Sequence, residues 1–482
     1  MFKNLIRLGI TCSVAMVALS SCEDQDFTNV NNDVDRVDVK HLSPEMEKVR
    51  DYVPMYAVMA HRGSTFWTPE ETEAAWRWAR EMGADYLEAD LQCSKDSVIL
   101  ALHDDNLSRT TNIATVYGEN LPSTRAAYYK KYYGWDDKKI AEQIAADKAS
   151  FMPYYAKSYM YEELMALDAG TWFNEDNPEQ ARTGYTKHHQ YISTLEDLVM
   201  YSKGYKLNRY KEGDPEVLNG TRKVGERKYT AQVTNGLVRY DFTTDGYVLD
   251  DKFEDGTPTS GNRPGIYIEF KESWLNPSNF EQMVYDELAR LDYNIMTEPA
   301  AETAHYKDGK VNVGNTNGKV VLQTFSLESL KRASKVFKGQ IPMCFLLWKG
   351  TAATDIKYDD PAGYASFINL GVDYLAHIIG PCIAGAPNNY PELNAPWQDY
   401  LISRSGMLNH PYSFDSREQM GKYFGEYNFG NSLYREHYLD GAFTNRSEMT
   451  IQYFIDKGVR PAPAPQTVPN PQELLEKLGY EK

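Results

Sequence analysis

Two carboxylates stand two residues apart in an apolar run, Glu88-Ala89-Asp90, and a third, Glu269, closes another such run with Lys271 two residues on. In extended chain, residues two apart project to one face. Glu88 and Asp90 therefore point together, and so do Glu269 and Lys271. A buried pair of carboxylates repels itself and is costly unless a cation sits between them. The natural partner is a hard divalent metal with oxygen ligands, and the residues alone leave the choice between Ca2+ and Mg2+ open. Two histidines lie in similar surroundings: His61 in His61-Arg62-Gly63, after the run 56–60, and His103 in Leu102-His103-Asp104, with Arg109-Thr110-Thr111 beyond. Two imidazoles that titrate near neutrality suit a phosphodiester cleavage, which needs one proton removed and one donated. Singly each residue has a plain explanation, such as a surface Glu269 partnered by Lys271. Their joint place at the ends of β-rich runs points to a site.

Eight short β-rich runs must position these groups: 56–60, 86–91, 266–270, 320–325, 343–347, 374–379, 407–410 and 441–444, with a ninth at 98–102 too close to the second for a helix between them. Helical patterns at 70–82, 194–202, 279–291 and 327–336 lie between several of them. In Thr68-Pro69-Glu70-Glu71-Thr72, Thr68 can cap a helix, Pro69 suits its first position and Glu71 completes a capping box. Strands alternating with helices predict a parallel α/β fold. Eight strands in one body predict a (β/α)8 barrel of the TIM type, carrying inserted subdomains or long loops at 112–160 and 203–264. Hairpin-like turns are expected in the second insertion at Asn219-Gly220 and Asp255-Gly256. Many of the 36 tyrosines fall in the insertions, where they can form small aromatic cores or bind sugars and head groups.

Composition narrows the function. A formal net charge of -17 without a Lys/Arg run excludes a nucleic-acid partner. A small phosphate ester remains allowed, because a metal and a few cations can reverse the field locally. Residues 1–22 read as a targeting segment: Lys3 and Arg7, an apolar run over 8–19, then Leu19-Ser20-Ser21-Cys22, which resembles the lipobox of bacterial lipoproteins. Cys22 is thus the expected lipidated residue, and the protein is expected on a membrane of the bacterial envelope. Residues 23–50 read as an acidic tether, 51–460 as the barrel and 461–482 as a proline-rich tail with a short helix near 471–478. The other cysteines show no metal-binding spacing and demand no disulfide framework.

In chain order, His61-Arg62-Gly63, Pro69-Glu70-Glu71-Thr72, Glu88-Ala89-Asp90, His103-Asp104 and Arg109-Thr110-Thr111 resemble the glycerophosphodiester phosphodiesterases. Similar stretches follow at Leu167-Asp168-Ala169-Gly170-Thr171-Trp172-Phe173, Thr194-Leu195-Glu196, Ile268-Glu269-Phe270-Lys271, Gln323-Thr324-Phe325, His410-Pro411-Tyr412 and Asp440-Gly441-Ala442-Phe443-Thr444. The resemblance implies hydrolysis of glycerophosphodiesters to an alcohol and glycerol 3-phosphate. It implies His61 and His103 as the acid/base pair, and Glu88, Asp90 and Glu269 as ligands of a divalent cation, Ca2+ favoured over Mg2+. Arg62 and Lys271 would hold phosphate oxygens. The chain departs from the pattern at Glu71 and at Asn445, where the family has Asn and Asp. Two rivals stand beside this reading: a phospholipase C/D-like barrel acting on intact lipid, and a non-catalytic envelope lipoprotein that binds glycans or head groups.

Overall fold

The computed structural model describes residues 33–271, 274–349, 356–385, 390–426 and 436–482. Cys22 and its leader lie outside the described residues. Eight strands, β1 (Ala57–Ala60), β2 (Tyr86–Cys93), β3 (Gly265–Phe270), β4 (Val320–Thr324), β5 (Met343–Leu347), β6 (Ile378–Pro381), β7 (Leu408–Asn409) and β8 (Gly441–Thr444), pair in parallel in that order, and β8 pairs with β1. The ring closes just past β7, where Phe414 N–H donates to Phe443 O at 2.8 Å and Asp440 N–H to Asn409 O at 2.7 Å. One helix of the outer layer follows each strand: α1 (Glu73–Met82), α2 (Leu195–Ser202), α3 (Phe280–Arg290), α4 (Leu327–Phe337), α5 (Pro361–Asp373), α6 (Pro396–Ser405), α7 (Arg417–Tyr423) and α8 (Ser447–Asp456). This is the predicted (β/α)8 barrel.

The burial pattern separates two faces of every strand. Val58, Leu87, Ile268, Leu322, Phe345 and Ile379 pack outward against the helices, while Met59, Tyr86, Tyr267, Val321, Cys344 and Phe443 fill the barrel. Large inward rings need space opposite them. A Cβ on Gly265 would stand 2.6 Å from the Tyr86 ring, and one on Gly441 would stand 2.9 Å from the His410 ring. Glycine at those inward positions is what lets the rings fit.

Several expectations change. The helix after β1 starts at Glu73, with Thr72 rather than Thr68 as its cap, so residues 68–72 form a loop across the mouth. The first insertion is largely helical, over Arg125–Tyr133 and Asp137–Ser150, and its tyrosines make a core of their own with Tyr128 and Tyr129 buried. In the second insertion Asn219 ends a short helix, Pro215–Leu218. The hairpin turn falls instead at Asn235-Gly236, both left-handed, between Thr230–Thr234 and Leu237–Asp241. A turn does form at Asp255-Gly256, where Phe253 N–H donates to Thr257 O. The described part of the expected tether packs on the body, since Val34, Leu42 and Met46 are buried. The tail does likewise: Leu474, Leu475 and Tyr480 are buried, and the Arg460 guanidinium meets Asp85 at 2.5 Å below the barrel. Apolar side chains spaced along each segment explain why neither stays in solvent. Among the described residues no helix is long and apolar enough to cross a membrane, and Cys93, Cys344 and Cys382 are free thiols.

Two wholly buried histidines make the fold acid-sensitive. Burial pushes His410 down to about 3, and pushes His377 to about 4 against the help of a backbone hydrogen bond. Between those values and the ordinary 6.5, the unfolded chain binds protons that the native chain refuses. Stability is therefore lost as pH falls through this window, by about 1.4 kcal/mol per pH unit for each histidine. Urea unfolding at pH 7 and pH 5 should show the loss; equal stabilities would refute it.

Candidate active site

At the C-terminal ends of the strands the inward register changes from apolar to chemical. Along β1 it runs Ala57, Met59, His61; along β2, Tyr86, Glu88, Asp90; along β3, Tyr267, Glu269, Lys271; along β4, Val321, Gln323, Phe325. Parallel pairing sets Asp90 beside Glu269, and Glu269 beside Gln323. His61, Arg62, Glu88, Asp90, His103, Glu269 and Lys271 consequently line one cavity of about 180 Å3, together with Gln323. A larger cleft of about 500 Å3, between the insertion hairpin and α3, holds Glu196 and Arg290 but neither of these histidines nor the converging carboxylates.

Local backbone aims each group. After β1 the chain passes through three left-handed residues, Arg62, Gly63 and Ser64. Glycine is required in the middle, because a Cβ there would stand 2.4 Å from that of Ala75 in α1. The turn points the Arg62 amide at Glu88, donating to Oε2 at 2.7 Å, while Gln323 Nε2 donates to Oε1 at 2.8 Å. The short antiparallel strand Ile99–Ala101 runs back along β2, and Leu102 N–H donates to Asp90 O at 2.7 Å. That return delivers His103 to the mouth, where its Nδ1 lies 2.6 Å from Asp104 Oδ1. Arg109 fixes Asp104 and Glu70 at once, through Nε to Asp104 and Nη2 to Glu70. His61 Nδ1 lies 2.6 Å from Asn445 Oδ1.

The electrostatics are dominated by acid in excess. Arg62 Nε lies 3.3 Å from Asp90, and Lys271 Nζ 3.4 Å from Glu269. Burial and the Asp90 charge push Glu88 up to about 8, and the same burial holds Glu269 well above the usual carboxylate range despite Lys271. Burial also opposes ionisation of Asp90, but Lys271, His103 and Arg62 outweigh it and hold that carboxyl low. His61 is pushed down to about 3 by burial and then by Arg62; burial and Arg62 lower His103 as well.

The donor set fits a hard divalent cation. Asp90 and Glu269 meet carboxyl to carboxyl, a contact that needs a proton or a cation between them, and Asp90 Oδ2 is buried without a hydrogen bond. Among the described residues no three such side chains are already gathered as a ligating group. Glu88 accepts from Gln323 and the Arg62 amide, so joining Asp90 and Glu269 around a cation requires it to share or exchange one of these bonds.

Other residues take roles that the sequence alone does not assign. Glu71 is a left-handed residue whose Oε1 accepts from Asp90 N–H at 2.6 Å, so it braces a proposed ligand instead of capping a helix. Asparagine tolerates that backbone region better than glutamate, which accounts for the family's residue there. The far wall of the cavity is apolar and aromatic: Phe325, Leu346, Trp348, Tyr390, Tyr412 and Phe443. Counting in twos from Cys344 finds Leu346 and Trp348, but no motif marks them.

A closed parallel barrel thus carries two histidines and three carboxylates at its C-terminal mouth. The Glycerophosphoryl diester phosphodiesterase family matches residues 61–252 of the chain. Glu269 and Lys271 lie past the end of that match. A glycerophosphodiester phosphodiesterase of Bacillus subtilis is 30% identical over 154 residues, 32% of this chain and 38% of the relative. A glycerophosphoinositol inositolphosphodiesterase of Mus musculus is 31% identical over 136 residues, 28% of this chain and 20% of the relative. The chain thus spans well under half the length of these relatives. Among solved structures, an Oleispira antarctica phosphodiesterase in complex with sn-glycerol-3-phosphate aligns at TM-score 0.44 and 14% identity, covering 83% of this chain and 97% of that one. An Agrobacterium tumefaciens glycerophosphodiester phosphodiesterase aligns at TM-score 0.41 and 14% identity, covering 82% and 99%.

The donor set generates a test that needs no substrate. Ca2+ added to chelator-treated protein should raise Tm by mass action on the native state. Glu88→Gln and Asp90→Asn should each remove most of that rise; an unchanged rise in both would refute these ligands.

Proposed function

We propose that the protein hydrolyses glycerophosphodiesters to an alcohol and glycerol 3-phosphate, with His61 and His103 as the acid/base pair. The observation that supports this most is the gathering of both histidines, Arg62, Lys271 and three carboxylates around one small cavity. Glu88, Asp90 and Glu269 would hold a divalent cation, Ca2+ ahead of Mg2+, which when bound neutralises charge on the phosphoryl oxygens. Arg62 and Lys271 hold the remaining phosphate oxygens. Both histidines spend Nδ1 on a neighbour, so Nε2 is the atom each has for the reaction. His61, kept neutral by burial and Arg62, takes the proton of the nucleophile. His103 gives a proton to the leaving alcohol, the Asp104 carboxylate at Nδ1 partly offsetting the burial and Arg62 charge that lower it.

A panel of glycerophosphodiesters incubated with the protein should release glycerol 3-phosphate, and chelation should stop it. Full turnover after exhaustive chelation would remove the metal from the reading. His61→Ala and His103→Ala should fold normally and lose on the order of 10²–10⁴ in rate. His188 and His437 line no part of the cavity, and their Ala variants should keep wild-type turnover. Wild-type rates in either His61→Ala or His103→Ala would refute the acid/base pair.

The same proposal includes an envelope location, through a lipid on Cys22, supported by the apolar leader and Leu19-Ser20-Ser21-Cys22. Full-length protein should sediment with membranes, and Cys22→Ser should be unprocessed or released. Wild-type protein recovered free of membrane and without lipid at residue 22 would end that part of the reading.

A further inference from the structure

We propose that Asp415 is a positioning residue that orients the Asn445 side chain, and through it fixes which nitrogen of His61 faces the substrate. This rests on the phosphodiesterase reading above. Asn445 occupies the inward register of β8, two residues past Phe443, and meets three side chains. Its Oδ1 lies 2.6 Å from His61 Nδ1 and accepts from Thr65 Oγ1 at 2.9 Å, while its Nδ2 donates to Asp415 Oδ1 at 2.8 Å.

A carboxamide presents an acceptor on one side and a donor on the other, and only its surroundings decide which way it points. As a carboxylate Asp415 can only accept, so Nδ2 must face it and Oδ1 must face His61. An oxygen that only accepts requires the proton of His61 on Nδ1. The lone pair is then on Nε2, where a base needs it. Were the amide reversed, its N–H would face Nδ1, the His61 proton would move to Nε2, and the base would present a donor to its substrate.

The departure at 445 explains why an orienting residue is needed. The resemblance places Asp there, and both oxygens of a carboxylate accept, so either orientation holds the correct tautomer. Asn445 gives up that freedom, and Asp415 restores the constraint. Its own position is fixed twice: Asp415 N–H donates to Gln419 Oε1 at 2.7 Å, at the cap of α7, and the neighbouring Phe414 closes the barrel against β8.

The experiment compares Asp415→Asn, Asn445→Asp and the exchange of both, which conserves charge and atom count. Asp415→Asn should lower kcat by about tenfold or more with KM nearly unchanged, because an amide that can face either way no longer selects the tautomer. The exchange Asn445→Asp/Asp415→Asn should recover most of the loss, whereas Asn445→Asp alone sets two carboxylates against each other and should be the least stable. Nitrogen-15 spectra of histidine-labelled wild-type protein should show His61 protonated on Nδ1. Wild-type kcat in Asp415→Asn, an exchange variant no better than Asp415→Asn, or a wild-type His61 protonated on Nε2 would each overturn the proposal. The spectrum decides even if the variants fail to fold. A wild type that hydrolyses no phosphodiester would refute the function above, and the spectrum would still test the positioning.

Discussion

Everything at the mouth depends on the two-residue alternation of strands that are closed into a ring. Closure makes one face of every strand converge on a single axis, so each second residue is forced inward whatever its chemistry. Below, those positions are Met59, Tyr86, Tyr267 and Cys344, and they fill the barrel; two steps further on they are His61, Glu88, Glu269 and Leu346. Parallel pairing then fixes the order around the ring. Asp90 sits beside Glu269 because the β2–β3 ladder has that register, and a slip of one residue in either strand would turn that strand's carboxylate outward. Packing below thus determines electrostatics above.

That convergence has a cost, and the loops around the mouth show how it is managed. Glu70, Glu71, Glu88, Asp90 and Glu269 are drawn together with Arg62, Lys271 and Arg109 as the nearby cations. Three of these acids are shifted toward their neutral forms by burial, while Glu70 and Asp90, each close to a guanidinium, stay ionised. Local strain accompanies the arrangement: Arg62, Ser64 and Glu71 are all left-handed without being glycine. Such residues persist only where their surroundings over-determine them, and here the surroundings are α1, the Glu88 carboxylate and the Asp90 amide.

Much of this was legible in the sequence because it rests on short-range rules. The strand runs read from sequence overlap the observed strands, since short apolar runs bounded by polar or turn residues favour extended chain and the inward set follows by counting in twos. The histidines and carboxylates stand out for the same reason, as polar groups where apolar ones are due. What was hidden depends on partners far away in the chain. Asn445 and Asp415 meet only because the barrel closes between β7 and β8, and Thr68 loses its capping role to Thr72 because Gly63 and Ser64 claim its hydroxyl. The short helix near 471–478 was legible, but the docking of tether and tail was not, because a few well-spaced apolar side chains suffice to pin a polar segment to a surface that the sequence does not display.

The insertions show the same long-range logic. Neither supplies a wall of the catalytic cavity, yet the second is bound to the barrel by buried charge. Arg227 grips Asp197 of α2 at 2.7 Å, Arg209 meets Glu73 at the start of α1 at 2.6 Å, and Asp250 receives Arg77 and Arg80 from the same helix. A buried pair contributes little net stability over apolar packing, but losing one partner is severe, so such contacts specify geometry more than they strengthen it. Here they fix α1, whose Ala75 presses on Gly63 and so sets the turn that carries His61 and Arg62. The second insertion therefore reaches the active site through the back of the helix that shapes it, without touching the cavity itself.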